Sequence, residues 1–214
     1  MKNEEQLQNI SRPFKLIKIP NLVSPHQAKE LIHYHKTHKH LRSIGDGSDY
    51  RAIDLIHIHT QWVRDIFNRI GYQCVGEIFK ESNQIVFPEM TALNEWEIGG
   101  VQTPHLDTYS TWELEQDNKD EQPSREWTLI LTLNDNYGSG ETYFPEHGYT
   151  HSPSACEGIL FQGIYHLHGV NPVRRCSRHT ISMWFSTNPD NILIDERTKN
   201  LETNPRILRQ ERMK

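Results

Sequence analysis

The triplet His105-Leu106-Asp107 sets an imidazole and a carboxylate two residues apart. On a β-strand, residues i and i+2 point to the same side, so such a pair can grip one metal ion from one face. Thr103-Pro104 before it and Thr108-Tyr109-Ser110 after it suggest a strand end opening into a loop. With 13 histidines in 214 residues, one H-x-D triplet is close to chance, so its setting must carry the argument. A third ligand has to come from elsewhere in the fold. The best candidate is His168, in Tyr165-His166-Leu167-His168-Gly169-Val170.

Two imidazoles and one carboxylate leave about three positions open on an octahedral ion, which suits non-haem Fe(II) chemistry with oxygen. Zinc hydrolases use similar ligands but need a single open position. Ten residues past His168 comes Arg178, within an apolar run spanning 176–185. A buried guanidinium is costly unless an anion meets it. Beside a metal it invites a ligand carboxylate, with charge-assisted hydrogen bonds of about 1.5–3 kcal/mol. The plainer alternative is a structural salt bridge with one of the 28 acidic side chains.

The remaining histidines say less. H-x-H occurs four times, at His33/His35, His38/His40, His57/His59 and His166/His168. The first two pairs fall on the first expected helix, where i and i+2 do not share a face, and read as solvated surface. His57 and His59 would share one face of a strand but have no third ligand nearby. His166 and His168 could instead serve a cupin-like metal-binding barrel, an isomerase or binding module, although that leaves the His105/Asp107 pair and Arg178 unexplained.

The elements that must position these groups change character along the chain. Residues 14–19 alternate apolar and basic like a half-buried strand, which Pro20-Asn21 breaks. Ser24-Pro25-His26-Gln27 reads as a capping box with Pro at the first helical position, starting a helix from 25 to about 38. Residues 51–59 alternate weakly. Thr60 can cap a second helix, whose apolar positions Val63, Ile66, Phe67 and Ile70 keep a three- and four-residue rhythm, with Gly71 and Gly76 blurring its end. From about residue 85, short branched and aromatic runs at 84–87, 90–96, 128–133, 142–144, 158–161 and 180–185 alternate with Gly, Pro and Asn. Such spacing predicts a β-sandwich or barrel. The fold class is therefore α+β, mainly β. Residues 1–187 read as a single domain. Residues 113–124 form an acidic, turn-rich loop, either solvated filler or a lid, and 188–214 a polar tail or surface helix.

Composition narrows the function. The net charge is −5 and the 23 basic residues do not cluster, which argues against nucleic acid and against a membrane surface. No apolar run approaches the roughly 18 residues of a spanning helix. The polar N-terminus lacks the apolar core of a secretory signal. Three cysteines, Cys74, Cys156 and Cys176, form no CxxC pair, so a reducing, cytoplasmic setting is expected. Oligomeric state is not encoded in these features.

Four pieces of the chain together resemble the Fe(II)/2-oxoglutarate-dependent dioxygenases, and among them the prolyl 4-hydroxylase-like branch. They are Trp96-Glu-Ile-Gly99 leading to Pro104-His105-Leu106-Asp107; Arg125-Glu-Trp-Thr128 with Leu131-Thr-Leu-Asn134-Asp135; Gly140-Glu141-Thr142-Tyr143-Phe144-Pro145; and His168-Gly-Val-Asn-Pro172-Val173 with Arg178 and Trp184-Phe185. The resemblance implies a double-stranded β-helix, or jelly-roll, core with N-terminal supporting helices. It implies that His105, Asp107 and His168 hold Fe(II), and that Arg178 and Thr142 bind the C5 carboxylate of 2-oxoglutarate. Arg125 and Trp184 match positions lining the peptide-substrate side in prolyl hydroxylases. The implied co-substrates are 2-oxoglutarate and O2, with ascorbate as a reductant. The implied reaction hydroxylates a C–H bond, first of all in a prolyl residue of a peptide or protein, with a free amino acid or small molecule as the runner-up. Trp96 stands where the family commonly has Tyr and offers only an N–H donor. Ser139-Gly140 replaces the usual Gly-Gly. Asp107 sets the chain apart from the halogenating relatives, which lack that carboxylate.

Overall fold

The structure, a computed structural model, describes residues 13–44, 50–107 and 125–187. The expected 113–124 loop and the 188–214 tail lie outside the described residues. The chain opens with strand β1 (Ile17–Ile19) and helix α1 (Pro25–Thr37). The capping box forms in full: Ser24 Oγ accepts from the Gln27 N–H at 3.1 Å, and Gln27 Oε1 accepts from the Ser24 N–H at 3.0 Å. Strands β2 (Ser43–Ile44) and β3 (Tyr50–Asp54) follow, then helix α2 (Gln61–Ser82), which ends on Asn83 in the left-handed conformation at φ 55°. Eight more strands complete the fold: β4 (Phe87–Trp96), β5 (Gln102–His105), β6 (Trp127–Thr132), β7 (Thr142–Phe144), β8 (Tyr149–His151), β9 (Gly158–Phe161), β10 (His168–Val170) and β11 (Arg178–Ser186).

The strands make a seven-stranded sheet in the order β1-β9-β6-β11-β4-β3-β2 and a four-stranded sheet in the order β5-β10-β7-β8. Every described pairing is antiparallel. This is the jelly-roll architecture implied by the resemblance, with the two sheets unclosed at their edges. Strand alternation divides the larger sheet by chemistry. Leu93 of β4, Leu129 and Leu131 of β6, and Ile181 and Met183 of β11 join Leu31, Val63, Phe67 and Ile70 of the two helices in one buried cluster. The opposite face carries Asn94, Thr128, Thr180 and Ser182, which line a pocket reaching the smaller sheet. The main core therefore sits under the helices, while between the sheets these polar side chains share the space with two smaller apolar clusters, Phe144 with Ile159 and Phe161, and Trp96 with Tyr137, Val170 and Val173.

Several expectations are corrected. Of the run at 84–87 only Phe87 is in a strand, which continues without a break to Trp96. Pro88 is tolerated because it lies near the strand start, where the pairing with β11 shifts register between Met183 and Phe185. α2 passes straight through Gly71, which is buried. The segment holding His57 is a 3-10 turn, Leu55–His57, so His57 and His59 do not share a strand face. His35 is fully buried, not solvated. The three cysteines are free thiols. Among the described residues no helix is long and apolar enough to cross a membrane.

Candidate metal centre

Neighbouring strands of the smaller sheet bring the predicted ligands together. His105 ends β5 and pairs directly with His168 at the start of β10. Asp107 lies beyond the strand, in a bend rather than on the expected strand face. Its backbone N–H donates to the Gly163 carbonyl at 3.0 Å, and this turns its side chain back toward the histidines. The candidate donor atoms of the three residues all lie within 4.8 Å of one another. Asp107 and His168 are buried, whereas His105 is partly open to solvent.

The hydrogen bonds fix which nitrogens are free. Nδ1 of His105 is 3.1 Å from the Thr103 carbonyl, and Nδ1 of His168 is 3.0 Å from the His166 carbonyl. A carbonyl has no proton to give, so each Nδ1 carries the hydrogen and each Nε2 presents a lone pair. Those lone pairs face Asp107: His105 Nε2 is 3.7 Å from Oδ1, and His168 Nε2 is 3.5 Å from Oδ2. These gaps exceed a hydrogen bond. They approach the separation of about 3 Å expected between ligand atoms on one ion with bonds of about 2.1 Å. Burial pushes the His168 imidazole down from its ordinary pKa, against the pull of Asp107, so the ring is held neutral as a ligand must be. Burial raises the Asp107 carboxyl, but His168, the Thr128 hydroxyl, His105 and Arg125 outweigh it and keep the group below its ordinary value. The residues present thus fit a divalent cation with an N,N,O ligand face. His166 takes no part: its Nδ1 meets His147 Nε2 at 3.1 Å, which removes the cupin-like pair.

Two residues to which the sequence reading assigned no role hold Asp107 in place. Thr128 Oγ1 donates to Oδ2 at 2.5 Å. Gly163 packs so closely that a Cβ there would overlap both Asp107 Oδ2 and Thr128 Oγ1. A Gly163→Ala variant is expected to push the carboxylate off its position and to weaken divalent-metal affinity by about 10–100-fold, the range seen when groups supporting a ligand are disturbed. Titration of the purified variant with Mn(II) checks this, and native-like affinity would show that Gly163 is not the constraint. Thr128 had a faint signal, since it closes one of the quoted motifs. Gly163 had none, because its role arises from tertiary proximity alone.

Arg178 begins β11 opposite Trp96 and is 1% exposed. Its Nη2 donates to Thr142 Oγ1 at 3.3 Å, and its guanidinium carbon lies 5.7 Å from the Trp96 ring and 5.9 Å from the Tyr137 ring. Its Nε has no hydrogen-bond partner. The structural salt bridge considered as an alternative is absent among the described residues. Burial lowers the Arg178 pKa, yet a guanidinium is so strong a base that the group remains a cation. The indole N–H groups of Trp96 and Trp184 are also buried without partners.

Trp96, Thr142, Arg178 and Trp184 line the same pocket as the three metal-ligand candidates, and it encloses about 470 Å³ of empty space including its open mouth. Arg125 is placed elsewhere than in the pocket wall. Its guanidinium stacks over Trp184 at 5.1 Å, and its Nε lies 3.5 Å from Oε1 of the fully buried Glu89. Sequence reasoning missed Glu89, an acid inside a strand with no motif around it.

Residues 91–186 match the family model described as the 2OG-Fe(II) oxygenase superfamily. A search of curated protein sequences gives no match. Similar solved structures include a viral collagen prolyl hydroxylase of Paramecium bursaria Chlorella virus-1 in complex with 2OG. It is 18% identical, with a TM-score of 0.62, over 79% of this chain and 94% of that one. A prolyl hydroxylase of Trichoplax adhaerens bound to a hypoxia inducible factor peptide fragment is 15% identical, with a TM-score of 0.57, over 88% and 87%. HygX of Streptomyces hygroscopicus, with nickel, 2-oxoglutarate and hygromycin B, is 12% identical, with a TM-score of 0.54, over 86% and 87%. At these identities the likeness is one of fold.

Proposed function

We propose, from the premise that the chain belongs to the 2OG-Fe(II) oxygenase superfamily through residues 91–186, that it hydroxylates a prolyl residue in a peptide or protein. The observation that carries the reading is one pocket holding both a His-Asp-His cluster and a buried guanidinium that makes no salt bridge among the described residues. His105, Asp107 and His168 would hold the Fe(II). The bound iron supplies the oxidation, in which 2-oxoglutarate and O2 give succinate, CO2 and a hydroxylated C–H bond.

The side chains divide the remaining work. Arg178 and Thr142 anchor the distal carboxylate of the co-substrate through charge-assisted hydrogen bonds. Trp96 offers its indole N–H where the family commonly has a tyrosine hydroxyl. Thr128 fixes the Asp107 carboxylate, so that its charge stays turned toward the metal. Outside the pocket wall, Arg125 stacks on Trp184, which does line the pocket, and offers a donor for a peptide carbonyl beside it, while Glu89 sets the direction of the guanidinium. No side chain is assigned as a general base, because the oxidation would be supplied by the iron that His105, Asp107 and His168 hold. A peptide substrate is favoured because, by the resemblance, Arg125 and Trp184 match positions that line the peptide side in prolyl hydroxylases. A soluble, reducing setting matches the free cysteines and the net charge of −5.

The deciding experiment measures succinate formation by anaerobically prepared protein given Fe(II), 2-oxoglutarate, ascorbate and O2, with and without a proline-rich peptide. Turnover is expected to rise with peptide, and mass spectrometry should find a 16 Da gain on proline (one oxygen atom). Turnover indifferent to peptide would move the substrate to a free amino acid or another small molecule. Absence of turnover from protein that binds Fe(II) would remove the enzymatic reading.

A further inference from the structure

On the opposite face of the larger sheet, a second cluster repeats the donor pattern of the metal centre. Alternation sends Trp96 and Arg178 into the pocket and turns their neighbours Glu95 and His179 the other way, where they are direct cross-strand partners. His35 of α1 meets them there, and all three side chains are buried. Nε2 of His35 is 3.0 Å from the Arg51 carbonyl, so that nitrogen carries the hydrogen and Nδ1 of the neutral ring presents a lone pair. It faces Glu95 Oε2 at 3.5 Å, while His179 Nε2 stands 3.5 Å from Oε1. His35 Nδ1 and both ring nitrogens of His179 have no hydrogen-bond partner, although buried polar atoms are normally satisfied. His168 and Asp107 show the same arrangement: one ring nitrogen tied to a backbone carbonyl, the other 3.5 Å from a carboxylate oxygen. The Nδ1 lone pair of His35 would be repelled by the Glu95 carboxylate unless a positive centre lies between them, and His179 and His35 together hold the Glu95 carboxyl well below its ordinary range.

We propose that His35, Glu95 and His179 bind a second divalent cation of the zinc class, separate from the ion at His105, Asp107 and His168. Two imidazoles and one carboxylate are a common zinc ligand set, and solvent completes the tetrahedron. Arg42 acts as an outer support. Its Nη1 is 3.2 Å from Glu95 Oε2, and its Nε and Nη2 donate to the His35 carbonyl at 3.1 and 2.9 Å. That guanidinium orients the carboxylate and leaves Oε1 turned to His179. The ion ties α1, β4 and β11 together directly behind the Trp96–Arg178 pair, and so braces the floor of the pocket. The competing arrangement has no metal: an imidazolium supplies the positive centre, and the cluster is an ion-pair network with Arg42.

The test is the equilibrium stoichiometry of Zn(II) on the full chain after chelator treatment. It does not depend on whether the protein is an oxygenase. The wild-type protein should take two equivalents and the Asp107→Ala/His168→Ala protein one. Adding His179→Ala or Glu95→Gln to that double variant should leave none, whereas either change alone in the wild type should leave one, which also reports that the variant has folded. A wild-type protein that takes one equivalent overturns the proposal. So does a double variant that takes none, or one whose remaining equivalent survives both further substitutions.

Discussion

Replacing Asp107 by alanine is expected to abolish Fe(II)-dependent succinate formation and to remove the thermal stabilisation that Fe(II) gives the wild-type protein. The carboxylate is the one anionic ligand, and it stands 3.5–3.7 Å from the lone-pair nitrogens of both histidines. Without it, two neutral imidazoles must hold the ion unaided, one of them partly open to solvent. A ligand present at 100 times its dissociation constant stabilises the folded state by about 2.7 kcal/mol. For a chain of this size, each kcal/mol moves the midpoint by roughly 2–4 °C, so the wild-type shift should be about 5–10 °C and the variant's close to zero. The metal-free proteins should behave differently. Removing the carboxylate forfeits the Thr128 hydrogen bond and the pull of His168, His105 and Arg125 but also relieves the desolvation of a buried charge, so the metal-free midpoint should stay near the wild-type value. Anaerobic scanning fluorimetry with and without Fe(II) separates these outcomes. An undiminished shift in the variant would mean that the ion is held somewhere other than His105, Asp107 and His168.

What was legible in the sequence follows from how local each determinant is. The start of α1 was legible because Ser24, Pro25 and Gln27 satisfy its first turn among themselves. The ligands were legible because His105 and Asp107 are neighbours and because His168 and Arg178 sit in quoted motifs. The extent of α2 was hidden by Gly71 and Gly76, two expected breakers that tertiary packing overrides. Strands β5, β8 and β10 have only three or four residues, too few for alternation to register. His35 was misread for a specific reason. Taken as half of an H-x-H pair it looks like surface, but taken with Ala28 and Leu31 it falls on the buried stripe of α1. Glu95 and His179 were passed over because their neighbours Trp96 and Arg178 carried the motif. On a strand, adjacent residues serve opposite faces, so a motif residue says nothing about the chemistry beside it.

Arg178→Met separates a co-substrate anchor from a structural arginine, because the two roles predict opposite effects on stability. A guanidinium holding the fold together through an ion pair would cost several kcal/mol to remove. Arg178 has no such pair among the described residues: it donates to Thr142 Oγ1 at 3.3 Å and interacts with the neutral Tyr137 hydroxyl, and its Nε is unpartnered. Methionine keeps an unbranched chain in the same space and removes a desolvated charge, so the apo protein should be as stable as the wild type or more so. The 2-oxoglutarate site should suffer instead. Loss of a charge-assisted contact of about 1.5–3 kcal/mol raises the apparent KM for 2-oxoglutarate by roughly 10- to 150-fold. Fe(II) binding should be unchanged, since Arg178 touches none of the three ligands. Arg178→Lys should fall between, because an ammonium keeps the charge but loses the planar fork. The measurement is KM for 2-oxoglutarate alongside the melting midpoint of the metal-free protein. A sharp loss of stability with KM unchanged would make Arg178 a framework residue and leave the co-substrate carboxylate to be anchored elsewhere.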